Sequence, residues 1–85
     1  MLHIESGQII VKARFDIMEK RAYGDVRMSK DYNRVIGRIN ENGLLRLYDD
    51  IDIDKAEIEE DYRKIKPQVM DYFRMWKERS ENEKF

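Results

Sequence analysis

Apolar side chains recur at alternating spacings of four and three residues in the last third of the chain. This spacing keeps all of them on one face of an α-helix, so the sequence predicts a helix over residues 54–80. Asp54 and Glu57 have the spacing of a capping box at its start. The stripe consists of Ile58, Tyr62, Ile65, Val69, Tyr72 and Trp76.

Pro67 is the one residue that conflicts with this helix, because it lacks a backbone N–H and its ring clashes with the preceding turn. Either the helix kinks there or a second helix begins at Pro67. A continuous helix over 55–80 would be about 39 Å long, whereas a compact domain of this size is roughly 30 Å across. In the continuous case the segment 72–76 is predicted to form an interface; in the broken case it folds back into the core.

Alternation of apolar and polar residues over 9–18, with Ile10 and Met18 as exceptions, predicts a half-buried strand. Ile9, Val11, Ala13, Phe15 and Ile17 share one side, and Lys12, Arg14 and Asp16 share the other. A helix is the alternative, because Val11, Phe15, Met18 and Ala22 also have helical spacing and Gly24 could end it. The β-branched residues at 9–11 favour the strand.

Two turns are predicted further along. Tyr23-Gly24-Asp25 has turn character, followed by a short strand with Val26 and Met28. Asn40-Glu41-Asn42-Gly43 predicts a hairpin with a three-residue loop, glycine taking the left-handed position. This register pairs Ile39 with Leu45 and Gly37 with Leu47, and it places Arg38 opposite Arg46 on the solvent side. A helix over 32–39, capped by Asp31, is the alternative for the first arm.

These elements predict one α+β domain spanning residues 1–85. A strand-rich part over 7–50 forms a small antiparallel sheet of three to four strands, and the long C-terminal helix over 54–80 packs on it. Residues 81–85 are predicted to fray. A mostly α-helical fold is the alternative if the stretches 9–22 and 32–39 are helices.

The composition changes this picture in one respect. A chain of 85 residues buries only about 60 % of its unfolded surface, so its core is thin. It contains no cysteine, and His3 is its single histidine, which excludes disulfides and the usual zinc sites. Association is the remaining way to add stability, so we expect a homodimer, and we expect no cofactor.

The charges are unevenly distributed. Residues 1–48 carry nine basic and six acidic side chains, whereas 49–85 carry eight and twelve, for a total of −1. No run approaches the roughly 20 apolar residues that a membrane helix needs, and the first residues do not have the pattern of a signal peptide. We therefore expect a soluble cytoplasmic protein that does not bind membranes.

The acidic run before the helix has the partial spacing of a calcium loop. Asp50, Asp52 and Asp54 alternate, and Asp61 follows eleven residues after Asp50. Lys55 stands where such a loop needs glycine, so we expect no metal site. Catalytic chemistry is also not indicated, because the chain has no threonine, no cysteine and three scattered serines, and its glycines form no phosphate-binding motif. We therefore expect a protein that is not an enzyme.

The apolar stripe carries the leading functional hypothesis. Aromatic residues and methionines on the late part of the helix are typical of protein interfaces. We therefore expect a protein–protein interaction or regulatory module that binds a second copy of itself or another protein. The predicted interface residues are Ile65, Val69, Tyr72, Phe73 and Trp76.

Two alternative functions depend on charged side chains and not on the apolar stripe. If the strand assignments hold, Lys12, Arg14, Arg38 and Arg46 face solvent and could contact nucleic-acid phosphates, although no aromatic ladder is interleaved with them. The second alternative is an acidic inhibitor of a basic host protein, acting through the run 49–61.

Overall fold

The computed structural model describes residues 1–82 as a five-stranded antiparallel sheet followed by one long helix. The strands follow one another in the sheet in chain order, so each pairs with the next. This confirms the predicted α+β fold with a C-terminal helix. The elements are β1 (Leu2–Ser6), β2 (Ile9–Asp16), β3 (Arg21–Met28), β4 (Asp31–Ile39), β5 (Leu45–Leu47) and α1 (Lys55–Asn82).

The sheet has more strands than the three to four expected, because β1 lies ahead of the predicted strand-rich part. Another difference is the first long hairpin, whose turn lies at 17–20 and not at Tyr23-Gly24-Asp25. The Asp16 carboxylate fixes this turn by accepting hydrogen bonds from the backbone N–H groups of Met18 and Glu19, an arrangement typical of aspartate in turns. Ile17 therefore lies in the turn and is exposed.

The hairpin between β4 and β5 has the predicted register. Ile39 pairs with Leu45, Gly37 with Leu47 and Arg38 with Arg46. The loop is held by the Asn40 side-chain oxygen, which accepts hydrogen bonds from the backbone N–H groups of residues 42 and 44. Gly43 takes a φ of 77°, the left-handed conformation that favours glycine. Strands β2, β3 and β4 occupy the stretches 9–22 and 32–39, which excludes the helical alternatives for both.

The C-terminal helix begins where the sequence predicts. The Asp54 carboxylate accepts a hydrogen bond of 3.0 Å from the N–H of Ala56, as an N-cap does. The helix then continues through Pro67 as a single element of 28 residues. Proline costs about 3 kcal/mol inside a helix, but burial of Ile65 and Val69 on either side contributes about 1.5–3 kcal/mol each, which offsets that cost.

The predicted fraying of 81–85 is only partly within the described residues. Helix α1 continues to Asn82, so residues 81 and 82 are helical, and the rest of the predicted tail lies beyond the described residues.

The core lies between the helix and one face of the sheet. The helix packs mainly across β1 and β2. Its buried face follows the predicted stripe as far as Val69, and then continues through Phe73, with Tyr72 and Trp76 only half-buried. A straight helix drifts by about 20° per heptad relative to a seven-residue repeat, which accounts for the change. The buried apolar side chains are Ile9, Val11, Ala13, Ala22, Val26, Ile36, Ile39, Ile58, Tyr62, Ile65, Val69 and Phe73.

Contacts near both ends of the helix fix its direction along the sheet. At the β1–β2 turn, Ser6 Oγ donates to the Asp61 carbonyl at 2.8 Å, and the Gln8 N–H donates to the Asp61 carboxylate at 3.1 Å. Near the far end, the rings of Phe15 and Trp76 stack with centroids 6.2 Å apart. The helix therefore runs in the same direction as β2, and the opposite face of the sheet is left uncovered by it.

Candidate functional site

The uncovered side of the sheet, called the open face below, carries a row of charged residues across four strands. Lys12 on β2 pairs with Asp25 on β3, Asp25 pairs with Arg38 on β4, and Arg38 pairs with Arg46 on β5. Directly paired residues project to the same face. The register thus places three of the four predicted phosphate-contacting residues in one row, and Arg14 in the next row opposite Tyr23.

Two further arginines on this face were not among the predicted residues. Arg27 pairs with Ile10, and Arg21 pairs with Asp16. Both lie on β3, where the sequence had indicated a turn, so their alternation with the buried Ala22 and Val26 was not recognised. The cations of the open face are Lys12, Arg14, Arg21, Arg27, Arg38 and Arg46, against the acids Glu5, Asp16 and Asp25.

Two tyrosines also lie among these cations, although the sequence shows no aromatic ladder interleaved with the four predicted basic residues. Tyr23 is 38 % exposed and Tyr32 is 41 % exposed. The Tyr32 ring lies against two cations of the open face, with its centroid 5.0 Å from Lys12 Nζ and 5.2 Å from Arg27 Cζ. Such cation–π contacts are attractive, and they hold the Tyr32 side chain over this face.

An irregularity in β4 brings Tyr32 to this position. Met28 pairs with Asp31 but Arg27 pairs with Val35, so the segment 32–34 has no counterpart on β3. Such bulges redirect side chains. Arg27 Nη1 also donates a hydrogen bond of 3.1 Å to the Tyr32 carbonyl.

The bulge is tied to the connection before the helix through Arg34. Its Nη2 donates a 2.6 Å hydrogen bond to Asp52 Oδ1. This bond raises the pKa of Arg34 and lowers the pKa of Asp52, so both groups stay charged over a wider pH range.

Lys12 lies beneath Tyr32 and is only 9 % exposed. Burial of a lysine is unusual unless the charge is compensated, and here the aromatic ring supplies part of that compensation. The neighbouring Asp25 carboxylate instead accepts a hydrogen bond of 3.1 Å from Arg27 Nε, which raises the pKa of Arg27. Lys12 is therefore a nearly buried cation beneath the partly exposed Tyr32.

A groove of about 950 Å³ lies over strands β3 to β5 on the open face. Arg38 lines this groove and is oriented by a hydrogen bond of 2.9 Å from its Nε to the Tyr48 hydroxyl. Guanidinium groups suit phosphate oxygens, because they present several donors in a plane. Its charged and aromatic lining comes from Arg21, Tyr23, Asp25, Arg27, Arg38, Glu41 and Arg46, so the basic side chains outnumber the acidic ones.

The residues predicted for a helix interface fall into two groups. Ile65, Val69 and Phe73 are buried in the core, so their side chains are covered within the chain. Tyr72 and Trp76 keep part of their surface, and their rings contact each other with centroids 6.4 Å apart. The interface prediction therefore depends on these two aromatic residues at the helix end.

The acidic run takes part in structural contacts. Asp54 caps the helix, Asp52 binds Arg34, and Asp49 forms an ion pair of 3.7 Å with Lys55. Within residues 1–82, no group of three or more acidic or histidine side chains could hold a metal ion. The part of the chain that the structure describes contains no helix long and apolar enough to cross a membrane.

Comparison of the chain with known protein families, with curated proteins and with solved structures finds no match. Its function therefore has to be argued from the geometry of its own surfaces.

Proposed function

We propose that this chain is a non-enzymatic module that binds nucleic acid on the open face of its sheet. The observation that carries the proposal is the cross-strand row in which Lys12, Arg38 and Arg46 share one face. Arg38 and Arg46 lie on neighbouring strands about 4.8 Å apart, so they can bind adjacent phosphates. Lys12 lies two strands from Arg38, with Asp25 between them. The release of counterions from the phosphates then drives binding.

The net charge of −1 does not conflict with this proposal, because the acids are concentrated elsewhere. Four of them lie in the segment 49–54, and four more lie in the first turns of the helix. A polyanion is repelled from that region and attracted to the open face. The uneven charge therefore orients the ligand on the protein.

A homodimer, which is the leading hypothesis from the sequence, is a second candidate. The observation in its favour is Met75, which is 49 % exposed beside the half-buried Tyr72 and Trp76. Met18 is 92 % exposed in the turn that follows Phe15, whose ring stacks on Trp76. This end of the molecule thus combines flexible and aromatic side chains, as protein interfaces do.

The inhibitor alternative has less support, because Asp52 and Asp54 are already engaged in an ion pair and a helix cap.

The nucleic-acid proposal is tested by fluorescence anisotropy with labelled DNA and RNA at several salt concentrations. We expect binding at low salt, with an affinity that falls steeply as salt rises. The double variant Arg38→Glu/Arg46→Glu should weaken binding by about tenfold or more, because it replaces two phosphate donors with acids. Thermal unfolding of the variant shows whether the fold is retained.

The matched control is Arg63→Glu/Arg74→Glu. It changes the net charge by the same amount, but on exposed helix positions that form only local pairs with Glu60 and Asp71. This control should retain most of the affinity. Equal losses in the two double variants, or no binding by the wild type at low salt, would contradict the proposal.

A further inference from the structure

We infer that the open face takes a single-stranded nucleic acid, whose bases stack on Tyr32 and Tyr23 while its phosphates bind Arg38 and Arg46. This inference rests on the proposed function and specifies the class of nucleic acid. Three features of the molecule support it: the fixed Tyr32 ring, the position of Tyr23, and the shape of the face.

The Tyr32 ring is already held in position before any ligand binds. It lies in the bulged segment 32–34, and its ring is held against Lys12 and Arg27 from the two adjacent strands β2 and β3. Tyr32 is nevertheless 41 % exposed. A ring that is already fixed loses little conformational entropy when a base stacks on it, so the arrangement favours stacking.

Tyr23 supplies a second ring in a regular strand. It pairs with Arg14, and it lines the groove together with Arg38 and Arg46. Stacking on aromatic rings combined with a basic groove is the usual basis of single-strand binding without sequence preference. The tyrosines and the arginines therefore serve different parts of one ligand, the bases and the backbone.

The shape of the face argues against duplex DNA. Five strands spaced about 4.8 Å apart make a surface roughly 19 Å wide. The major groove of DNA is about 12 Å wide, so the sheet is too wide to enter it. A duplex also keeps its base faces inside the stack, where Tyr23 and Tyr32 cannot reach them. A duplex would contact only the arginines.

The test compares three ligands of equal length, about 12 nucleotides: a single strand, an abasic strand and a duplex. Wild-type protein should bind the intact single strand most tightly. Tyr32→Leu and Tyr23→Leu should each weaken that binding by about 5- to 100-fold, with the slope of affinity against salt unchanged. Tyr32→Phe keeps the ring and should retain the affinity.

The abasic strand separates stacking from charge, because it carries phosphates without bases. The tyrosine variants should bind it as the wild type does. The inference is overturned if both leucine variants bind the intact strand normally, or if the abasic strand or the duplex binds as tightly as the intact strand. If Arg38→Glu/Arg46→Glu still weakens binding by about tenfold or more in that case, the proposed function stands without the inference. If no ligand binds the wild type, both are wrong.

Discussion

Arg34 and Asp52 join the bulged segment of β4 to the connection before the helix, through a hydrogen bond of 2.6 Å. Both side chains are exposed at the surface, where a single ion pair contributes little to global stability. The pair lies two residues from Tyr32, the ring that is held over Lys12. We therefore expect the pair to act on the position of this bulge more than on the stability of the whole fold.

Replacing Asp52 should have a small effect on stability that depends on pH. The hydrogen bond from Arg34 lowers the pKa of Asp52 below its usual 3.8, so the folded state favours the charged form. Its contribution is fully present above the unfolded pKa, and it is lost as the pH falls through the folded pKa. The difference in melting temperature between wild type and Asp52→Asn should therefore shrink below about pH 4.

Asp50→Asn is the control for this measurement. It removes the same charge from the same segment but leaves the hydrogen bond between Arg34 and Asp52 intact. A loss of single-strand affinity in Asp52→Asn that is missing in Asp50→Asn would link the bulge to binding. Identical behaviour of the two variants at every pH would contradict the assigned role of the pair.

Lys12→Met should change the binding of single-stranded nucleic acid while leaving the stability of the fold almost unchanged. Methionine keeps a stem of similar length beneath Tyr32 and removes a charge that is only 9 % exposed. The lost cation–π contact costs about 0.5–1 kcal/mol, and relief of the buried charge offsets this, so the free energy of unfolding should change little. The salt slope for single strands should fall by about 0.7, the value of one phosphate contact.

The matched variant is Lys64→Met, which removes one exposed charge from the helix. Its salt slope should equal that of the wild type. An unchanged slope in Lys12→Met would show that Lys12 does not contact phosphate.

The sequence predicted those parts of the fold in which local chemistry and apolar pattern agree. In the β4–β5 hairpin, glycine at position 43 and the alternation of Ile39, Leu45 and Leu47 specify the same register, and that register is observed. In the β2–β3 hairpin the two signals disagree. Glycine at position 24 indicated a turn, but it lies inside β3, where a Cβ would lie 2.7 Å from the Lys12 carbonyl oxygen. Packing between strands, which the sequence does not display, requires glycine there.

The open face could likewise be predicted only where the sequence pattern alone identifies the strand. Lys12, Arg14, Arg38 and Arg46 were predicted to share a face because their strands were recognised by alternation. Arg27 was not, because the supposed turn left only a short strand around Val26 and Met28, too short for its alternation to assign the two faces. Tyr32 depends on a bulge, and a bulge is specified by tertiary packing more than by local pattern.

Gly43→Ala should destabilise the protein for two reasons. The residue has a φ of 77°, which an L-residue adopts at a cost of about 1 kcal/mol. A Cβ at this position would also clash with Met70 Sδ on the helix. We expect a loss of about 1–3 kcal/mol in the free energy of unfolding, measured by urea denaturation.

The double variant Gly43→Ala/Met70→Ala distinguishes the two reasons. If the clash dominates, part of the loss caused by Gly43→Ala is recovered relative to Met70→Ala alone. If the two losses simply add, the backbone conformation is the main cause.

The homodimer proposal predicts that the exposed methionines control association. Wild-type protein should scatter light as a species heavier than the 10.4 kDa chain at micromolar concentration. Met75→Glu should shift it toward 10.4 kDa, because a carboxylate is costly to bury in an apolar contact. Lys64→Glu, at an exposed position about three turns earlier on the same side of the helix, should leave it unchanged. A wild-type monomer at all concentrations would exclude this dimer.

Tyr62 should make the fold sensitive to alkaline pH. Its side chain is buried, and its hydroxyl donates a hydrogen bond of 2.6 Å to the Gly43 carbonyl. Burial raises its pKa to about 12, so the folded state favours the neutral form. Stability from this group is fully present below the unfolded pKa of about 10, and it is lost as the pH rises through the folded value.

Tyr62→Phe should lower the free energy of unfolding at neutral pH by about 1–2 kcal/mol, because the Gly43 carbonyl loses its donor. The same variant should flatten the decline of stability above pH 10, which is measured by urea denaturation at increasing pH. Tyr23→Phe is the control, because it removes a hydroxyl from a tyrosine that is 38 % exposed on the open face and takes no part in the hydrogen bond to Gly43. A decline equally steep in both variants would show that Tyr62 is not the group responsible.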